Sequence, residues 1–190
     1  MDIVDALKRP EGKTLEFKRD LSSPEGVLRT LVAFANTAGG TLLIGVEDAT
    51  RHVRGVREPL DLEERLASLI SDSILPRLAP DVEIMPWRRT HLVAVQVHPS
   101  AGRPHYLKRE GQEGGVYVRV GSTNRRADRE MVEELRRYAR GVGFDEQALP
   151  ELDSEALDFR AASESFAPVR KLKRADLETL RLVTTHQGRK

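Results

Sequence analysis

Phe34-Ala35-Asn36-Thr37-Ala38-Gly39-Gly40-Thr41-Leu42-Leu43-Ile44-Gly45-Val46 is the stretch that decides the fold of this chain. It reads as the end of a helix, a Gly-Gly reversal and a strand apolar on both faces. That strand runs straight into the acidic pair Glu47-Asp48, and one helix upstream lies a second acidic segment, Glu11-Gly12-Lys13-Thr14-Leu15-Glu16-Phe17-Lys18. A buried strand with carboxylates at its end is how an α/β core presents chemical or binding groups at its rim.

Working outward, residues 14–19 alternate as a strand, with Leu15 and Phe17 on one face and Glu16 and Lys18 on the other. Ser23-Pro24 opens a helix as a serine cap followed by a first-turn proline, and Leu28, Leu31, Val32 and Ala35 form its buried stripe. Residues 52–56 read as a short edge strand or hairpin return. Asp61-Leu62-Glu63-Glu64 resembles a capping box, opening a helix with Leu62, Leu66, Leu69, Ile70 and Ile74 inward. Residues 82–87 and 91–98 read as a hairpin, and Pro86 places the first of these strands at a sheet edge. Residues 106–108 and 116–120 read as a further strand pair joined by a polar loop. Gly121-Ser122-Thr123-Asn124 is a turn, and Asp128 caps a final helix carrying Val132, Leu135 and Ala139. The expected architecture is α+β, a mixed β-sheet with about three packed helices. Its expected parts are an arm at 1–10, a module at 11–140 and an acidic-then-basic extension at 141–190.

The 190 residues contain no cysteine, which excludes disulfides, thiolate metal sites and a cysteine nucleophile. No apolar run is long enough for a bilayer and the N-terminus lacks a basic-then-apolar signal, so a soluble, cytoplasmic protein is expected. The formal net charge of +1 conceals blocks: residues 103–126 carry six bases against two acids, residues 144–166 seven acids against one base, and residues 167–190 seven bases against two acids. A basic face beside an acidic connector is compatible with nucleic acid as partner.

Two constellations carry chemistry. A β-α-β crossover would bring the strand holding Glu11 and Glu16 close to the strand ending in Glu47 and Asp48. Carboxylates converging there would be hard oxygen ligands for Mg²⁺ or Mn²⁺, with Lys18 paired to Glu16 or directed at a phosphate. The alternative is a Glu16–Lys18 surface pair with solvated acids beside it. The second constellation is basic. Arg119 shares a strand side with Tyr117, the following turn offers backbone N–H groups and Asn124, and Arg125-Arg126 lead toward a helix N-terminus. Lys108 and Arg109 sit on the adjoining loop. Guanidinium forks beside oriented amides suit a phosphate; the alternative is arginines salt-bridged to nearby acids.

Sharper motifs fail. Gly12-Lys13-Thr14 mimics the end of a phosphate loop, but Leu7 stands where its first glycine belongs, and no strand precedes it. Neither Gly-x-Gly-x-x-Gly nor Gly-x-Ser-x-Gly occurs. His91, His98 and His105 lack metal-site spacing.

Taken together, Glu11-x4-Glu16-Phe17-Lys18, Phe34-Ala35-Asn36-Thr37-x-Gly39-Gly40, Leu43-Ile44-Gly45-Val46, Pro104-His105-Tyr106 and Tyr117-x-Arg119-x-Gly121-Ser122-x-Asn124 resemble the Schlafen-type Alba-like DNA-binding domain family, formerly called a divergent AAA domain. The resemblance covers about residues 11–140. It implies a small α+β module, often at the N-terminus of bacterial transcriptional regulators; the expected function is DNA or RNA binding, with Lys108, Arg109, Arg119, Asn124, Arg125 and Arg126 read from the basic segment as its contacts. For the Schlafen branch it implies, as an alternative, a Mg²⁺- or Mn²⁺-dependent endoribonuclease acting on structured RNA such as tRNA. Its catalytic groups would then be Glu11, Glu16, Lys18 and Glu47, and its metal ligands Glu11, Glu16 and Glu47 or Asp48. Those enzymes form a cradle from two module copies, so a homodimer is expected here.

Overall fold

The computed structural model describes residues 3–141, 157–180 and 182–183. The chain divides into two compact units, Met1–Arg140 and Gly141–Lys190. The first begins with helix α1 (Ile3–Lys8), strand β1 (Leu15–Lys18), helix α2 (Pro24–Asn36) and strand β2 (Gly40–Ile44). Helix α3 (Pro59–Ser73) and the two-residue strand β3 (Ile74–Leu75) lead to the hairpin of β4 (Asp81–Trp87) and β5 (Thr90–Val97). After β6 (Tyr106–Leu107), a 3₁₀ turn at Lys108–Glu110 and the single-turn helix α4 (Gly111–Gly114), strands β7 (Tyr117–Val120) and β8 (Thr123–Arg126) form a second hairpin that leads into helix α5 (Arg129–Arg140).

The principal sheet has the order β1-β2-β5-β4. Strand β2 runs parallel to β1, pairing Leu15 with Thr41 and Lys18 with Ile44, and antiparallel to β5. As its two-faced apolarity requires, β2 is buried along its whole length. Leu42 and Ile44 join α2 and α3 in one core, while Leu43 joins Leu15, Phe17 and residues of α1 in a second on the opposite face. Phe17 and Phe34 are fully buried, each removal from water contributing about 1.5–3 kcal/mol. A third, smaller cluster of Val116, Val118, Ala127, Val132 and Leu135 glues the β7–β8 hairpin to α5.

The Gly-Gly reversal has a steric cause. Gly39 has φ of 74°, and a Cβ there would stand 2.7 Å from the Val97 carbonyl oxygen; one on Gly40 would stand 2.8 Å from the Phe34 ring. The end of α2 therefore packs directly onto the start of β2.

Several expectations need correction. Helix α3 starts at Pro59, two residues before the supposed capping box, because proline fits the first helical position. Residues 52–56 form only isolated bridges, Val46 with Val53 and Val56 with His91. Strand β6 pairs with β3, not with residues 116–120, touching that segment only through a Tyr106–Val116 bridge. Residues 123–126 are a strand across a two-residue Gly121-Ser122 turn, so Arg125 and Arg126 belong to a ribbon and not to a helix entrance. Asp128 does cap α5, accepting the Met131 N–H at 2.8 Å. Pro86 does lie on an edge strand.

In the second unit, α6 (Phe159–Phe166) is capped by Asp158, which accepts the Ala161 N–H at 2.9 Å, and α7 (Asp176–Thr179) is one turn long. Residues 144–156 of the acidic segment expected at 144–166 lie outside the described residues.

Candidate nucleic-acid interface

Strand pairing brings Glu16, Lys18 and Asp48 to one place, and Glu11 joins them from the approach to β1. The Lys18 ammonium donates to Glu16 at 2.6 Å and to Asp48 at 3.1 Å. Glu11 accepts the backbone N–H of Phe17 at 2.8 Å. Glu47 turns elsewhere, accepting Arg54 at 2.7 Å and the Thr50 hydroxyl at 2.8 Å. Those two contacts, Arg54 first, hold the Glu47 carboxyl below its usual range. The strand end thus contributes Asp48 and not Glu47 to the acid cluster.

Arg119 completes this cluster from the inside. Its Nε and Nη2 both donate to the Gly12 carbonyl, at 3.1 and 3.0 Å, its Nη1 to Asn124 Oδ1 at 2.8 Å, and its Nη2 also to Glu16. The guanidinium lies 5.3 Å from the Phe34 ring centroid, and its side chain is 1% exposed. Four of its five N–H groups are thereby directed at interior partners, and its side chain is buried away from a phosphate. Asn124 is equally committed, since its amide donates to Thr30 Oγ1 at 2.9 Å. Both side chains are tied into the fold by these contacts.

Burial and neighbouring charges shift two members of the cluster, Glu11 and Lys18. Burial, then the charges of Glu16 and Asp48, push the Glu11 carboxyl up despite the Phe17 hydrogen bond and nearby Lys18. Burial opposes the charge on Lys18, but the hydrogen bonds and charges of Glu16 and Asp48 outweigh it and raise its pKa. A divalent cation does not fit this arrangement. It needs several carboxylate oxygens turned to one point, whereas Glu16 is engaged by Lys18 and Arg119, Asp48 by Lys18, and Glu11 by a backbone N–H. Among the described residues no group of three or more His, Asp or Glu side chains is placed to hold a metal ion.

The remaining basic residues lie on the surface, but not as one ledge. Arg109 pairs with Glu25 at 2.9 Å and Arg126 with Glu110 at 3.2 Å. Neighbours in a strand point to opposite sides. Arg126 accordingly shares the side of its cross-strand partner Tyr117, and Arg125 the side of Val118, over α5. Among the described residues Arg125 and Lys108 are exposed and make no ion pair.

The similarity to known proteins bears on what such a module is for. The family model described as Schlafen, AlbA_2 matches residues 11–128, well over half of the chain. The chain belongs to this family. Two solved structures resemble the Schlafen AlbA_2 chain. One is the solution NMR structure of the N-terminal domain of a RecG-related protein from Nitrosomonas europaea, 27% identical, covering 67% of this chain and 94% of that one, with a TM-score of 0.51. The other is the crystal structure of the DIP2311 protein from Corynebacterium diphtheriae, 25% identical with a TM-score of 0.55; it covers 89% of this chain, which spans only 36% of that protein.

Three further residues organise the exposed basic face of this Schlafen AlbA_2 module. Glu110 accepts the Tyr117 hydroxyl at 2.7 Å, Arg29 at 3.3 Å and Arg126 at 3.2 Å, and Glu25 accepts Arg29 at 2.6 Å. Burial alone would raise the Glu110 carboxyl, but the Tyr117 and Arg29 hydrogen bonds outweigh it and hold the group low. The sequence signal for Arg29 was its place four residues after Glu25 on one helix. Nothing local in the sequence joins either residue to Glu110.

Proposed function

We propose that this chain is the nucleic-acid-binding module of a transcriptional regulator, in which Lys108, Arg109, Arg125 and Arg126 contact phosphates. The observation that carries this reading is a set of four exposed bases on the 108–110 turn and β8, two without an ion pair and two in ion pairs whose guanidiniums are exposed. Family membership supports it, as does likeness to a domain of a protein named for its relation to the ATP-dependent DNA helicase RecG. Work in the cytoplasm as a homodimer is part of the same proposal. Among the described residues no helix is long and apolar enough to cross a membrane.

The test is affinity for a labelled oligonucleotide as a function of salt. Replacing Arg125 and Arg126 by alanine removes two phosphate contacts, and the slope of log affinity against log salt should fall by about 2. Unchanged affinity and slope in that variant would refute the assignment. The endoribonuclease reading gains no support from the acid cluster, whose three carboxylates are each engaged by the protein's own donors, Lys18, Arg119 or the Phe17 N–H.

A further inference from the structure

A groove of about 740 Å³ opens between the end of α1, the 47–52 turn and the β4–β5 hairpin. Its lining includes Thr50, Arg51, His52, Trp87, Arg88 and Arg89, and no carboxylate among the described residues. Three guanidiniums around one concavity focus positive potential in it. Trp87 packs its inner side on the second core, and the Arg88 guanidinium lies 5.8 Å from its ring centroid, so the outer face holds a planar cation whose place a stacking base takes when Arg88 turns to a phosphate. This combination of guanidiniums and an aromatic platform is the one that holds unpaired bases on their phosphate chain.

The backbone points the same way. Arg51 and Arg88 are the two described non-glycine residues with positive φ, 56° and 51°, and both line this groove. Trp87 pairs with Thr90, so Arg88-Arg89 is a two-residue hairpin loop. The first position of such a loop at positive φ is normally Gly, Asn or Asp. An arginine held there in a disfavoured conformation is explained by what its side chain reaches. Arg51 places its Nη1 3.2 Å from the Lys8 carbonyl oxygen, which fixes that guanidinium at the groove's α1 end.

We infer that this groove binds single-stranded nucleic acid, with Arg51, Arg88 and Arg89 on phosphates and a base stacked on Trp87. The inference rests on the nucleic-acid reading above and adds to it a second contact surface and a preference for unpaired strands. The groove adjoins the acid cluster through one short turn, since Asp48 and Thr50 flank Ala49.

Trp87 is the only tryptophan of the chain, so its emission reports on this groove alone. Titration with a single-stranded oligonucleotide of about twelve nucleotides should quench it. The variant Arg88→Gly/Arg89→Gln removes two guanidiniums while relieving the positive φ, so its melting temperature should not fall. Its affinity for the same strand should drop by about tenfold. Anisotropy of a labelled strand separates the two readings. Binding with no quenching, and with this variant equal to the parent, would overturn the groove and leave the separate contacts of Lys108, Arg109, Arg125 and Arg126 standing. No binding of single strand or duplex would overturn both readings. Equal quenching by a duplex of the same length would overturn the single-strand preference and with it this inference.

Discussion

Arg119 and Glu16, 103 residues apart in sequence, meet as a buried ion pair that ties the β7–β8 hairpin to the first strand. The fork of Arg119 also covers the Gly12 carbonyl and Asn124, so one side chain closes four contacts. Arg119→Ala leaves the Gly12 carbonyl and Asn124 Oδ1 without their donor and Glu16 with Lys18 as its remaining cation, and it should cost about 3 kcal/mol in chemical denaturation. Arg119→Lys keeps the charge but not the planar fork and should lie between the two. A stability loss below about 1 kcal/mol for the alanine variant would show that the pair is not buried in solution.

Asn36 makes a second buried knot. Its side-chain amide donates to the His105 and Tyr117 carbonyls, both at 2.9 Å, and its oxygen accepts the His105 N–H at 2.7 Å. Asn36→Leu keeps much of the volume and orphans three backbone groups, so a loss of about 3 kcal/mol or more is expected by denaturant unfolding.

Lys18 acts as the built-in cation of the acid cluster. Replacing it with alanine should lower the melting temperature and free Glu16 and Asp48 to bind a divalent ion. Added Mn²⁺ should then raise the melting temperature of Lys18→Ala and leave the parent unmoved. A rise in the parent would show that its carboxylates reach a metal after all.

Two carboxyls should give pH effects of opposite sign. Asp20 is lowered from 3.8 to about 2 by the Ser22 hydroxyl, then the Ser22 N–H, then Arg19. A lowered carboxyl contributes stability above its unfolded value and loses it as pH falls toward its folded value. Asp20→Asn should therefore flatten the acid limb of stability between a pH of about 4 and about 2. Glu11 is raised above 4.5 in the fold, so its ionisation opposes folding. Glu11→Gln retains an oxygen for the Phe17 N–H and should stabilise the protein at neutral pH, with the gain lost as pH falls from the raised folded value to 4.5. Urea unfolding of the three proteins across this range measures both effects.

The parts of the fold that follow from local pattern were legible in the sequence. The alternation of Leu15-Glu16-Phe17-Lys18, the stripe on α2 and the Gly39-Gly40 reversal placed β1, α2 and β2 correctly. Alternation also put Tyr117 and Arg119 on one strand side. It did not say which side would be covered, and α2 covers theirs, turning Arg119 from an expected surface contact into a core group. An arginine is buried only when partners collect around it, and its partners here come from residues 12, 16 and 124. The same limit hid the side-switching of Arg125 and Arg126, because a turn and a two-residue hairpin share the Gly121-Ser122 signal until the pairing of β8 with β7 is known. The Trp87–Arg89 groove escaped notice because its walls come from three separate chain segments.

Side chains from Thr30 through Asn124, Arg119, Glu16 and Lys18 to Asp48 form one unbroken relay of polar contacts. It runs from the middle of α2 to the turn at the rim of the groove. The outer ribbon therefore cannot slide independently of that rim, since any displacement of one must break or drag a charged link of the other. The protein's own contacts thus hold both places in shape before any ligand arrives.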